Sequence, residues 1–242
     1  MANLLIEIGN TALKAAWSDG MTLGKTYRYQ GEKVMDFITS LVEKDKPEVL
    51  VLSSVYAVSA PDEERLRALC PSLMILDGRY VQILGAKGIP RYLTYDRAAS
   101  IIACRYLFKE KGCTIVDFGT TLTVDFIAAD GVYEGGNISL GCRTRFKALN
   151  RYSRALPLVN TPVETAPLGT SVQHAMESGV VSGILFEIDG YLNFHPENVV
   201  VFTGGDAIYF AKRMKKSIFV ISNLVLMGLA LIADEYVNQR TD

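Results

Sequence analysis

Short apolar runs broken by single polar residues, from Asn3 to Ile8 and again from Ala12 to Trp17, predict two strands. Gly9, Asn10 and Thr11 supply the turn between them, and Asp19-Gly20 marks the next hairpin turn. The plan returns in the second half, with strands predicted over 114–118 and 122–128, Gly119 to Thr121 between them and Asp130-Gly131 after. "LLIEIGNTALKAAWSDG" and "TIVDFGTTLTVDFIAADG" are therefore two copies of one element, each with an acid two residues before a glycine: Glu7 and Asp117.

Between the copies, "EKVMDFITSLVEKDK" has helical periodicity, "EVLVLSSV" reads as a buried strand, "PDEERLRALC" opens a helix on proline, and "MILD" is a short strand. An amphipathic helix is predicted from Tyr95 to Lys109, with Asp96 and Arg97 at its start. Further on, "RTRFKALNRYSRALP" and "SVQHAMESGVVSGILFEIDGYL" read as helices. "NVVVFTGGDAIYFAKRM" reads as strand, Gly204-Gly205 turn and helix, a place where backbone amides can hold a phosphate. "SIFVISNLVLMGLALIA" reads as a buried strand and then a core helix. Strands alternating with helices imply an α/β protein, and the repeat implies two lobes, 1–110 and 111–242, packed face to face.

Composition narrows the partners. At 242 residues and 49% hydrophobic, the chain can bury a substantial core. Its 25 basic and 26 acidic residues form no long single-sign block, so no nucleic-acid partner and no membrane patch is expected. The apolar tail is interrupted by Asn223 and is too short for a membrane span. "MANLLIEIGN" lacks the basic start and cleavage signal of a secretory leader, so the expected location is cytoplasmic. Cys70, Cys104, Cys113 and Cys142 make no CxxC pair, which leaves reduced, buried thiols rather than a zinc or redox site. His174 and His195 have no partnered nucleophile or ligand spacing and are read as structural.

A hairpin of the form acid, x, Gly, Asn or Thr, Thr places a carboxylate at a strand end and hydroxyl and amide donors in the turn. That is a cradle for a phosphate and its metal ion, and two copies can grip one polyphosphate. The arrangement resembles the actin, Hsp70 and sugar-kinase superfamily, whose duplicated ribonuclease H-like lobes are mixed sheets flanked by helices. Within it the chain resembles the type III pantothenate kinases over nearly its whole length, through "IEIGNTALK", "LTYDRAA", "VDFGTTLTVDF", "GGNISLGCRTRFKAL", "GTSVQHAMESGVVSG" and "FTGGDA".

The resemblance implies transfer of the ATP γ-phosphoryl group to the terminal hydroxyl of pantothenate, the first step of coenzyme A biosynthesis, by a homodimer. Asp96 then matches the catalytic carboxylate of the family's GxDR motif, and Arg97 a residue that binds pantothenate or steadies Asp96. Thr94, Tyr95, Lys87 and Val172 fall at or near substrate-lining positions. Gly9, Asn10, Thr11 and Lys14 from lobe one, with Gly119, Thr120, Thr121 and Thr123 from lobe two, match phosphate-handling positions. Gly135, Gly136, Gly204 and Gly205 would let the backbone approach the nucleotide closely. Glu7 matches the carboxylate for hydrated Mg²⁺, directly or through water, and Asp117 the residue for a monovalent cation, K⁺ or NH₄⁺.

The chain departs from the family pattern at several points. Glu7 replaces Asp, Thr94 stands where the motif has Gly, Lys87 stands near a usual Tyr, Val172 replaces a usual Thr, and Leu140 replaces a usual Pro. Three of these changes touch the acceptor side. They leave two alternatives beside the pantothenate kinase: a catalytically weak accessory transcriptional regulator, or a kinase for another small hydroxylated acid.

Overall fold

The computed structural model describes residues 2–77, 84, 85 and 87–241. The chain divides into two compact units, residues 1–107 together with 223–242, and residues 108–222. The last helix thus packs with the first unit, a return that a division at residue 110 does not include.

The first unit holds β1 (Asn3–Ile8), β2 (Leu13–Asp19), β3 (Thr22–Tyr29), α1 (Val34–Lys44), β4 (Leu50–Ser54), α2 (Ala60–Leu69), β5 (Leu73–Leu76), α3 (Tyr95–Leu107) and the chain's final helix α7 (Leu224–Thr241). Its sheet runs β3-β2-β1-β4-β5. The three strands β1 to β3 form an antiparallel meander, while β4 and β5 join parallel to β1. Central position explains why "LLIEI" is apolar at nearly every residue: Leu4, Leu5, Ile6 and Ile8 are all buried. Leu4 and Ile6 share a core with Ile38 and Val42 of α1 and Leu66 of α2. Each such side chain contributes about 1.5–3 kcal/mol by leaving water.

Two local signals set α2: Ser59 caps it by accepting from the Asp62 amide at 3.3 Å, and proline opens its first turn. The helices α3 and α7 pack together. Gly228 of α7 comes so close to α3 that a Cβ there would lie 2.0 Å from the Ala99 carbonyl oxygen.

The second unit holds β6 (Cys113–Phe118), β7 (Thr121–Ile127), β8 (Tyr133–Leu140), α4 (Cys142–Tyr152), α5 (Val172–Leu192), β9 (Val199–Gly204), α6 (Ala207–Ala211) and β10 (Ile218–Val220). Its sheet order is β8-β7-β6-β9-β10, again an antiparallel meander with two strands added in parallel. Strand for strand this is the first sheet repeated, the duplicated α/β plan expected from the two hairpins. An aromatic cluster fills its core, with the Phe118 ring 4.8 Å from Phe202 and 5.0 Å from Phe210.

Three details differ from the sequence expectations. The helix expected over 143–157 ends at Tyr152, where the Ser153 amide closes on Leu149 and a proline follows at 157. The tail strand is not buried: β10 has a neighbour on one side alone, and Phe219 is 53% exposed. The hairpin turns also differ in length, Ile8 pairing with Leu13 but Phe118 with Leu122. All four cysteines are buried and free, as expected. Among the described residues no helix is long and apolar enough to cross a membrane.

Candidate active site

In the first unit, the end of β1 carries Glu7, flanked by Lys14 across the antiparallel pairing and by Ser53 across the parallel one. The turn beyond it is pinned from three directions. The Gly9 amide donates to the Ala12 carbonyl at 3.0 Å, the Tyr56 hydroxyl donates to the Gly9 carbonyl at 2.9 Å, and the Val55 amide donates to Ile8 at 3.0 Å. Asp96 sits in the first turn of α3, where the helix dipole favours negative charge. These elements enclose a cavity of about 270 Å³ lined by Glu7, Gly9, Ser53, Ser54, Arg91, Thr94, Tyr95 and Asp96.

The electrostatics of this cavity are set by its two carboxylates. Burial raises the pKa of Glu7, the nearby Lys14 ammonium opposes that shift, and the charge of Asp96 adds to it. Lys14 Nζ lies 3.7 Å from Glu7 Oε2, close enough for an ion pair and too far for a hydrogen bond. Glu7 Oε2 and Asp96 Oδ1 are both buried without a hydrogen-bond partner. Such an oxygen on Glu7 fits a hard cation such as Mg²⁺, which takes one or two carboxylates and completes its shell with water and phosphate oxygens. No cluster of three or more metal-binding side chains occurs among the described residues, so a divalent ion there would need those extra oxygens.

In the second unit Asp117 occupies the position of Glu7, with Thr123 opposite on β7 and Thr203 alongside on β9. Gly204 follows with φ +89°, and a Cβ on it would fall 2.3 Å from Asp117 Oδ1 and 2.6 Å from the Phe118 amide nitrogen. Only glycine lets β9 pass the acid this closely. The hairpin tip is braced by the start of α4. There the Gly141 amide donates to the Thr120 carbonyl at 3.0 Å, and the Thr144 hydroxyl donates to the same oxygen at 2.6 Å. Thr120 and Thr121 remain exposed at the tip, and Gly205 borders open space. Burial raises the pKa of the adjacent Asp206, against the pull of Arg143.

Of the residues singled out from the sequence, Glu7, Gly9, Thr94, Tyr95 and Asp96 meet in the first-unit cavity. Asn10 and Thr11 are exposed on the turn beside it, and Lys14 faces Glu7. Arg97 is 7% exposed and does not line that cavity. Lys87 is ion-paired with Glu235 of α7 and lines a separate cavity of about 570 Å³ with Arg105 and Asp234. Val172, at the start of α5 in the second unit, is 57% exposed on an apolar groove of about 860 Å³. Gly135 and Gly136 pair with Phe126 and Asp125 towards the far end of the β7–β8 ladder, away from the Thr120–Thr121 tip.

Sequence reasoning missed Arg91, Ser53 and Thr203. The last two hold equivalent places beside the two acids, and a signal for them exists: "VLVLSS" and "VVVFTG" are the β4 and β9 counterparts of one repeat, each with a hydroxyl residue at its fifth position.

Twin sheets of this order, each with an acid at the end of its first strand, define a member of the actin-like ATPase and sugar-kinase fold class. The activator of 2-hydroxyisocaproyl-CoA dehydratase from Clostridium difficile, solved with bound ADPNP, is similar at a TM-score of 0.62 and 13% identity, covering 100% of this chain and 97% of that one. The ROK hexokinase of Thermus thermophilus is similar at a TM-score of 0.53 and 12% identity, covering 96% and 98%. The chain belongs to the type III pantothenate kinase family, whose model matches residues 3–193. A type III pantothenate kinase from Phocaeicola vulgatus is 35% identical over 232 residues, covering 94% of this chain and 96% of that protein.

Proposed function

We propose that this protein is an ATP-dependent kinase that converts pantothenate to 4'-phosphopantothenate, the first step of coenzyme A biosynthesis. The observation that carries the reading is Asp96. Its Oδ1 is buried without a donor in a cavity that also holds the Glu7 carboxylate, as a general base waiting for a substrate hydroxyl requires. The acceptor's hydroxyl oxygen bonds to the γ-phosphorus while its proton passes to Asp96. The bond from that phosphorus to the bridging oxygen breaks, and ADP leaves with the electron pair.

The chain's other residues position and neutralise. Lys14 reaches the transferring phosphate as a point charge, and Asn10 and Thr11 donate to phosphate oxygens from the first hairpin. Thr120 and Thr121 do so from the second, and the Gly204-Gly205 turn leaves space for the nucleotide. Glu7 would hold hydrated Mg²⁺, which supplies charge neutralisation on the phosphate oxygens, and Asp96 stays free for the substrate hydroxyl. Asp117, flanked in register by Thr123 and Thr203, is an oxygen-rich place for a monovalent cation, K⁺ or NH₄⁺. Tyr95 remains a neutral hydrogen-bond donor, because burial and then the charge of Asp77 raise its phenol pKa.

The protein acts as a homodimer in the cytoplasm on this reading. The apolar groove that Val172 shares with Leu149, Tyr152 and Met176 supports the first point, and four free buried thiols suit a reducing compartment.

The test is ADP release by purified protein with ATP, Mg²⁺ and pantothenate, in potassium against sodium buffer, with the product identified by mass. Phosphopantothenate formed faster in potassium is expected. Folded protein that binds ATP yet makes no phosphopantothenate overturns the reading.

A further inference from the structure

We propose that Arg91 is the residue that recognises the carboxylate of the acceptor, a role the sequence points toward Arg97. The proposal rests on the reading of pantothenate, an acid with a hydroxyl at its other end, as the substrate. A cavity lined by Glu7 and Asp96 repels an anionic acceptor unless a cation stands elsewhere in it. Among the described residues that line it, Arg91 is the one cation. Arg97, next to the catalytic acid, is buried in α3 and does not reach the lining.

Arg91 is also available. It is exposed, and it makes no ion pair with any described residue. Neither Glu7 nor Asp96 forms an ion pair with it, so the guanidinium stands apart from the carboxylate end of the cavity. That separation suits an acceptor whose hydroxyl meets Asp96 while its acid end lies away from it. A guanidinium offers a planar carboxylate two parallel hydrogen bonds, which an ammonium cannot match.

The opposite orientation is disfavoured by a second cavity. A chamber of about 310 Å³ shares Ser54, Val55 and Tyr95 with the first, and its charged lining is Glu63 and Asp77. Glu63 is paired with Arg67, and Asp77 acts on the Tyr95 phenol at the partition between the chambers. Among its described lining residues that chamber offers an acid end no cation, whereas the first offers Arg91.

The experiment compares wild type, Arg91→Ala and Arg91→Lys on pantothenate and on panthenol, in which a neutral alcohol replaces the carboxylate. Circular dichroism and thermal melting establish that each variant is folded. Arg91→Ala is expected to lower kcat/KM for pantothenate about 10- to 100-fold more than for panthenol, the loss sitting in KM rather than kcat. Arg91→Lys is expected to fall between. Equal losses on both acceptors, or no loss on either, overturn the assignment while leaving the kinase reading intact. If wild type binds pantothenate without phosphorylating it, titration calorimetry of the same proteins reads the role of Arg91 directly. A wild type that neither binds nor phosphorylates pantothenate overturns the functional reading, and the assignment of Arg91 with it.

Discussion

Glu7 and Lys14 stand opposite one another on adjacent antiparallel strands, with charged atoms 3.7 Å apart, whereas the equivalent acid of the second unit, Asp117, faces Thr123. One structural plan has therefore been given two electrostatic settings. In the first, the acid shares its surroundings with a cation and a second carboxylate. In the second, hydroxyls flank it on both sides. The first setting suits a divalent ion and a moving phosphoryl group, the second a weakly held monovalent ion.

Replacing Asp96 by Asn keeps the shape of the cavity and removes the proton acceptor. Turnover is expected to fall by about 100- to 10,000-fold, with KM for ATP little changed. A coupled assay for ADP checks this, and the melting temperature should stay close to that of wild type. Near-normal turnover would rule out Asp96 as the base.

Glu7 makes the protein's stability depend on pH in a definite direction. Because burial raises its folded pKa, Glu7 costs nothing at low pH, where the carboxyl is neutral in both states. As pH rises above the ordinary glutamate range the unfolded chain ionises first, so stability falls until the folded pKa is passed and then levels off. Glu7→Gln removes that slope. In Mg²⁺-free buffer at neutral pH the variant should melt higher than wild type, and the gap should close on acidification. Added Mg²⁺ should stabilise wild type more than the variant, and the variant should lose activity.

Gly204→Ala places a methyl group against Asp117 and forces φ +89° on a residue with a Cβ. A loss of about 1–3 kcal/mol is expected from the backbone strain. For a chain of this size that is a drop of several degrees in melting temperature, roughly 2–4 °C per kcal/mol. Because β9 and β6 would be pushed apart at the acid itself, any potassium stimulation should weaken together with stability. Titrating potassium against the variant's activity tests the link.

Much of this was legible before any coordinates. The strands "LLIEI" and "CTIVDF" announce themselves because central strands are apolar on both faces, and a turn glycine follows each of them. Asp96 stood out through the resemblance of "LTYDRAA" to the family's motif, since an acid at the start of a helix by itself says no more than a favourable dipole charge. What escaped depended on contacts far apart along the chain. Lys87 looks like a substrate contact near "LTYDRAA", but its ammonium meets Glu235, 148 residues away. Arg91 lies in a loop without periodicity, and nothing local says which way its side chain leaves the backbone. Ser53 and Thr203 are legible only once "VLVLSS" and "VVVFTG" are aligned as counterparts of the repeat, because the two segments share little beyond an apolar run and that hydroxyl.

The return of α7 to the first unit bears on how that unit is built. Residues 108–222 form one contiguous stretch, whereas the first unit is assembled from two segments that lie on either side of it in the sequence. The unit carrying Glu7 and Asp96 is completed by its last helix, whose Gly228 backs directly onto Ala99, one turn along α3 from Asp96. The unit that opens the sequence is thus closed by a helix that follows the whole of the other unit, and the α3 segment carrying Asp96 is backed by residues more than 120 positions away.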